Sequence, residues 1–257
     1  MTPPTAPQVD ILALGNAIVD VLSHVEDTVI DGLPVNKGAM TLIGAVEAQQ
    51  MYSVLGPGVE CSGGSAANTV VGAAMLGART AFVGRVKDDQ LGSIFAHDIR
   101  AAGVRFDTAA ATDGPDTAVC LVMVTPDAHR TMCTHLGASI ELGPDDVNES
   151  LVRDSAVLYL EGYLWDPPGA REAMRKAIRI ARDEGRAVAL SLSDPFCVDR
   201  HRVDFLDLVD NDVDILFANE DELTSLYDTN DLDKAFNEVV PLVKVAACTR
   251  GEHGAVI

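Results

Sequence analysis

Four polar groupings in this chain have the residue types and spacing to handle a small hydroxylated or phosphorylated molecule. The first is Ser62-Gly63-Gly64-Ser65-Ala66-Ala67-Asn68. Adjacent glycines let the backbone approach a ligand with no Cβ in between. The small residues after them open an apolar helical run whose N-terminal amides would point at whatever Gly63 and Gly64 touch. A tight loop feeding a core helix explains the same residues equally well. The second grouping is Asn16 with Asp20, just past the apolar run Val9 to Leu14. Ligands of open α/β sheets sit beyond the carboxyl ends of strands, so this pair is placed to hydrogen-bond hydroxyl groups; a solvated loop is the alternative. The third is Asn219 and Glu222, three apart at a strand-to-helix turn. They could face a metal-bound phosphate together, or simply form a capping box. Last, Gly251 and Gly254 follow the run Val243 to Thr249, making either a turn where backbone comes close to a flat or phosphorylated ligand or a plain hairpin.

The elements that must carry these groups alternate. Val9 to Leu14 is an apolar run of the kind buried on both faces of a sheet. The run Ala66, Ala67, Val70, Val71, Ala74 has helical spacing and stops at Gly77. A strand at Thr80 to Val83 and a helix from about Leu91 to Ala102, closed by Gly103, come next. Further strands are expected at Ala156 to Leu160, Ala187 to Leu192, Ile215 to Phe217 and Val243 to Thr249. Between them lie helices starting at Asp166-Pro167, with the apolar face Ala170, Ala173, Met174, Ala177, Ile178 and Ala181, and around Asp204 to Val209. Strand, helix, strand in this order predicts an α/β fold: a doubly wound, mostly parallel sheet with helices on both faces. Two segments break the rhythm. Val21 to Ile43 lacks a helical period and reads as strands outside the main sheet, and Thr117 to Leu136 reads as a hairpin. Together, about 21–43 and 117–136, they predict a small β-sheet lid on one domain spanning 9–257.

Composition bounds the partners. With 39 acidic against 19 basic residues the net charge is −20, which repels both a nucleic-acid backbone and anionic lipid headgroups. A small anionic ligand stays possible only where helix N-termini and a few chosen cations make the site locally positive. Thr2 to Gln8 has neither a basic start nor an apolar core, which predicts a short disordered tail over 1–8 and no signal peptide, and no apolar run reaches membrane-spanning length. Five cysteines without a Cys-x-x-Cys pair, and six unclustered histidines, predict reduced cytoplasmic thiols and no metal site of their own.

Taken in order, these motifs resemble the ribokinase (PfkB-type) family of carbohydrate and nucleoside kinases, and within it most closely the branch that phosphorylates adenosine. The matching residues are Gly15-Asn16-Ala17-Ile18-Val19-Asp20, Gly63-Gly64-Ser65-Ala66-Ala67-Asn68, Phe82-Val83-Gly84 with Asp89 and Gly92, Arg130, Leu190 to Phe196, Val213 to Glu222, and Thr249 to Gly254. They run through nearly the whole chain in family order. The resemblance implies a ribokinase-like α/β domain with a β-lid and phosphoryl transfer from ATP, with Mg²⁺, to a hydroxymethyl group. Carried over by position, Asn16, Asp20, Gly63, Gly64 and Asn68 would hold the acceptor's hydroxyls. Arg130 would reach from the lid to the transferring phosphate. Asn219 and Glu222 would position Mg²⁺ and phosphate through water, and Thr249, Gly251 and Gly254 would lie against the nucleotide. Sugars such as ribose or fructose compete with adenosine as acceptor, and a binding protein without turnover is a further alternative. The family's base lies in a Gly-Ala-Gly-Asp element, and nothing up to Ile257 matches it. The expectation is therefore a C-terminally incomplete kinase whose 257 residues bind better than they catalyse. Oligomeric state is not legible.

Overall fold

The computed structural model describes residues 7–257. The tail expected over 1–8 lies outside the described residues except for Pro7 and Gln8, and the Gln8 N–H donates to the Asp154 carbonyl (2.9 Å).

The chain opens with β1 (Val9–Leu14), β2 (Ile18–His24), α1 (Asp27–Asp31), β3 (Met40–Leu42), α2 (Ala45–Val54), β4 (Gly58–Gly63) and α3 (Ser65–Met75). It continues through β5 (Thr80–Val83), α4 (Gln90–Ala101), β6 (Arg105–Phe106), β7 (Ala118–Val124), β8 (Arg130–His135) and α5 (Glu149–Arg153). Then come β9 (Ser155–Glu161), α6 (Pro168–Asp183), β10 (Ala187–Ser191), α7 (Pro195–Asn211), β11 (Ile215–Asn219) and α8 (Glu220–Leu226). It closes with α9 (Leu232–Val239), β12 (Val245–Thr249) and β13 (Ala255–Val256).

The main sheet runs β13-β12-β11-β10-β9-β1-β5-β6, parallel throughout except for the β12–β13 hairpin. Central strands need cover on both faces, and helices of opposite position supply it. On one face α6 buries Ala170, Ala173, Met174, Ala177, Ile178 and Ala181, the stripe expected from its spacing, in a core shared with residues of α5, α7, α8 and α9. On the other, Ala66, Ala67 and Val70 of α3 pack with Ala13, Phe82 and Tyr159, and Phe95 of α4 joins Phe82 and Phe106 in an aromatic trio. Beyond α3 that second face thins out, and Phe217 and Val245 stand 40% exposed.

A second sheet, β3-β8-β7-β2-β4, is the lid, and it differs from the expected one in three ways. Its first strand begins at Ile18, before 21, so Asp20 belongs to the lid and not to a loop leaving β1. The 21–43 segment is not all strand, since α1 interrupts it. Gly58–Gly63 supplies an edge strand that two glycines and a short polar run had concealed. One lid face buries Val19, Val21, Val119, Leu121 and Met123 with Ile30 of α1 and Ala48 of α2. Strand alternation turns the other face, carrying Ile18, Asp20, Met132 and Thr134, the opposite way. Only Gly15, Asn16 and Ala17 separate β1 from β2, so the two sheets are joined at that point by three residues.

Candidate acceptor and nucleotide site

The parallel strands β1, β9, β10, β11 and β12 release their polar residues at one edge: Asn16, Glu161, Asp194, Asn219 and Thr249. Between that edge and the lid lies a cavity of about 530 Å³. The polar part of its lining holds Asn16, Ser65, Glu161 and Tyr163, joined by Thr134, Asp166, Asp194 and Arg200. Its apolar walls come from both sheets: Ile18, Met40, Leu42 and Met132 from the lid, and Leu136, Ile140, Pro167 and Phe196 from segments around the main sheet. Leu42 and Phe196 are 60% and 70% exposed, a large apolar area left in water beside a polar floor.

Glu161 organises the polar groups around Asn16, and sequence reasoning missed it. Its carboxylate is fully buried and accepts four hydrogen bonds. The Asn16 N–H (2.6 Å) and Nδ2 (2.7 Å) donate to Oε1; Ser65 Oγ (2.6 Å) and the Ala66 N–H (2.9 Å) donate to Oε2. Burial pushes its pKa upward, against the pull of those donors. Gly15 is required beside it, because a Cβ there would meet the Ala66 methyl at 2.5 Å and Glu161 Oε2 at 3.0 Å. The available signal was a lone carboxylate closing the apolar strand Val157 to Leu160.

The two signature glycines explain themselves in the same place. Gly64 has φ +98° and ψ 143°, and a Cβ on it would sit inside the contact radius of the Asn16 carbonyl oxygen. A Cβ on Gly63 would overlap the Asp20 carboxylate. That carboxylate accepts no hydrogen bond among the described residues, and burial raises its pKa to about 6. Asp20 is thus held close to Gly63 with its oxygens uncommitted, and like Gly63 and Gly64 it is outside the cavity lining. Asn68 is exposed on α3 and does not line the cavity. Arg130 is exposed at the far tip of the β7–β8 hairpin opposite Val124, also outside the cavity lining and without a hydrogen bond among the described residues.

On the other side, Asn219 and Glu222 do form the capping box. The Asn219 N–H (3.0 Å) and Nδ2 (2.7 Å) donate to Glu222, and the Glu222 N–H donates back to Asn219 Oδ1 (2.8 Å). Thr249 pairs with Asn219 across the strand ends; Gly251 and Gly254 lie in the exposed β12–β13 turn, with φ of +55° and +81°. Glu222 is buried, and its pKa is raised by burial and by Asp194 and Asp221. Tyr163 sits among Asp194, Glu222 and Glu161; burial first and these carboxylates next push its hydroxyl well above the usual phenol range. A floor this acidic repels a bare polyphosphate, so the donor set fits a divalent cation arriving with it. Each Glu222 oxygen already accepts from Asn219, which suits contact through a metal-bound water better than direct ligation.

At the outer wall the fold brings Asp166, Cys197 and His201 within 4.8 Å of one another, a cluster the spacing did not announce. It is a poor metal site. Arg200 takes both Asp166 oxygens (3.0 and 2.6 Å), His201 Nε2 lies 2.7 Å from Oδ1, and burial lifts the Cys197 thiol to about 12. Asp166 is an ion-paired brace between the end of the Gly162–Trp165 turn and α7.

The model of the pfkB family of carbohydrate kinases matches residues 39–257. The chain belongs to that family. This pfkB-family chain is 27% identical over 204 residues to probable fructokinase-3 of Arabidopsis thaliana, a match covering 76% of the chain and 59% of the relative, so it spans less than two thirds of that protein's length. Among solved structures it resembles the adenosine kinase of Sinorhizobium meliloti, with a TM-score of 0.89, 50% identity, and 97% of this chain and 76% of that one covered. The probable sugar kinase of Rhizobium etli CFN 42 is similar at a TM-score of 0.89 and 49% identity. The ribokinase-like architecture expected from the sequence is therefore the observed one. No helix among the described residues is long and apolar enough to cross a membrane.

Proposed function

We propose that this pfkB-family chain carries the acceptor site of a kinase that transfers phosphate from Mg²⁺-ATP to the hydroxymethyl group of a nucleoside, adenosine before others, in the cytoplasm. The observation that carries the reading is the mixed lining of the cavity: polar groups that include Asn16, Ser65 and Glu161, and the apolar side chains of Met40, Leu42, Met132, Ile140 and Phe196. A free sugar uses the first and has no use for the second. A purine ring buried there removes apolar area from water at about 25 cal/mol per Å². The half-identical adenosine kinase supports the same choice. Asn16, Asp20, Gly63 and Gly64 hold the ribose in this reading, Asn68 reaches it only if the exposed face of α3 turns towards the ligand, and Asn219, Glu222, Thr249, Gly251 and Gly254 receive the nucleotide and its metal.

Calorimetry of residues 1–257 is expected to give adenosine an affinity at least about tenfold above ribose or fructose, roughly 1.4 kcal/mol or more from the stacked base. Equal or tighter binding of fructose would instead favour the sugar-kinase reading, which the plant relative supports. No Asp or Glu in the chain follows a Gly-Ala-Gly element, and general-base and oxyanion-type contributions are each worth about two to three orders of magnitude in rate. Phosphorylation of adenosine by these 257 residues is accordingly expected near background. Robust turnover would show that another residue serves as base. Arg130 acts on the phosphate in flight in this scheme. Where turnover is measurable, Arg130→Ala lowers kcat by about 100-fold or more while the acceptor's KM moves less than about threefold. A rise in KM alone would remove it from that role.

A further inference from the structure

We propose that Glu161 is a positioning residue that sets the hydrogen-bonding polarity of the acceptor pocket: it holds the Asn16 amide so that Oδ1, and not Nδ2, is presented to the ligand. The inference rests on reading this cavity as the acceptor site. Asn16 lines the cavity and is only 5% exposed, and its Oδ1 is buried with no hydrogen-bond partner. Its Nδ2 is spent on Glu161 Oε1 at 2.7 Å.

The amide cannot easily turn over. Oε1 also takes the Asn16 backbone N–H, and Oε2 takes the Ala66 backbone N–H, two donors that cannot rotate away, so the carboxylate is fixed in place. A reversed Asn16 would aim its carbonyl oxygen at Oε1, acceptor against acceptor. Ser65 Oγ completes the fixation from the start of α3, and Gly15 leaves room for it. The unpartnered carbonyl is then a vacancy for a donor, and a ribose hydroxyl fills it. Glu161 itself has no need to touch the ligand.

The test separates donors from acceptors, because a hydroxyl is both. Calorimetry would compare adenosine analogues in which the 2′- or 3′-hydroxyl is replaced by an amino group, which donates, or by fluorine, which does not. The wild-type chain is expected to prefer amino over fluoro at one of the two positions by about tenfold or more. In Glu161→Ala, which leaves the Asn16 amide free to reverse, that preference shrinks to within about threefold. A merely structural Glu161 would shift the melting temperature and leave the preference intact, and that result overturns the proposal. So does equal binding of the amino and fluoro pairs by the wild type, a comparison that stands even if Glu161→Ala does not fold. Hydrogen exchange of the Asn16 side-chain amide, assigned by its loss in Asn16→Leu, gives a readout without ligand. Slow exchange in the wild type with no binding of any adenosine analogue would keep the positioning role and sink the nucleoside reading, whereas fast exchange overturns the positioning role itself.

Discussion

Gly64→Ala is expected to lower the melting temperature by roughly 6 to 20 °C and to weaken adenosine binding by at least about tenfold. The backbone at φ +98°, ψ 143° lies in a region that side-chain-bearing residues avoid, a cost of about 1–3 kcal/mol. The added methyl would also press on the Asn16 carbonyl oxygen, which is main chain and cannot swing aside. The two together come to about 3–5 kcal/mol, a large share of the 5–15 kcal/mol that holds a typical domain together. At about 2–4 °C per kcal/mol for a chain of this size, the melting shift follows. Binding suffers because relief of the clash must displace either the first turn of α3 or Asn16, and both line or support the polar part of the cavity. Gly72→Ala is the control. It lies inside α3 with no neighbour within 4 Å of the new methyl, so it should stabilise by about 0.4–1 kcal/mol. Thermal melts of the two variants with equal outcomes would refute the account of Gly64.

Asp20→Asn is expected to move stability and binding in opposite directions. The carboxylate is partly buried beside Gly63 with no partner among the described residues, and burial raises its pKa to about 6 from a reference of 3.8. The folded chain therefore binds that proton more tightly than the unfolded chain does. The sign follows: wild-type stability falls as pH rises from about 4 to about 6, and the penalty is present in full at neutral pH. Asparagine carries no such penalty, so the variant should melt higher than wild type at pH 8 and converge with it towards pH 4. Adenosine affinity should drop by about 1.5–3 kcal/mol, the size of a charge-assisted hydrogen bond to a ribose hydroxyl. In the wild type the same group predicts adenosine binding that weakens as pH falls through about 6, because the protonated acid offers a weaker acceptor. A variant that binds adenosine unchanged would take Asp20 out of the site.

The signals that sequence conveyed were local and those it hid were convergent. The Gly63-Gly64 turn, the helical stripe from Ala170 to Ala181 and the Asn219–Glu222 capping box depend on neighbours a few positions away, and each formed as read. Helix α7 begins at Pro195, nine residues earlier than its apolar spacing suggested, because Asp194 caps it through the Phe196 and Cys197 N–H groups (2.8 and 3.1 Å). That Asp-Pro start is a recognisable signal. Helix α2 has no strong apolar stripe, since among its described side chains only Ala48 is buried in the lid core, so its period was faint. Glu161 could be valued only once Asn16, Ser65 and Ala66 were seen to converge on it from up to 145 positions away. The apolar walls of the cavity are assembled from separate segments, none of which carries a motif.

The three-residue passage from β1 to β2 has a thermodynamic consequence. It puts Asn16 on the main-sheet side and Asp20 on the lid, so under the proposed reading a ribose held by both would span two sheets that meet at a short joint. Leu42 of the lid and Phe196 of α7, both largely open to water, face the same cavity. A nucleoside seated there draws these surfaces out of solvent as it bridges the sheets. Dehydration of apolar surface lowers heat capacity, so the binding enthalpy of adenosine should become steadily more negative as the calorimeter is warmed. Ribose alone, grasped only by the polar groups, should show a much flatter slope.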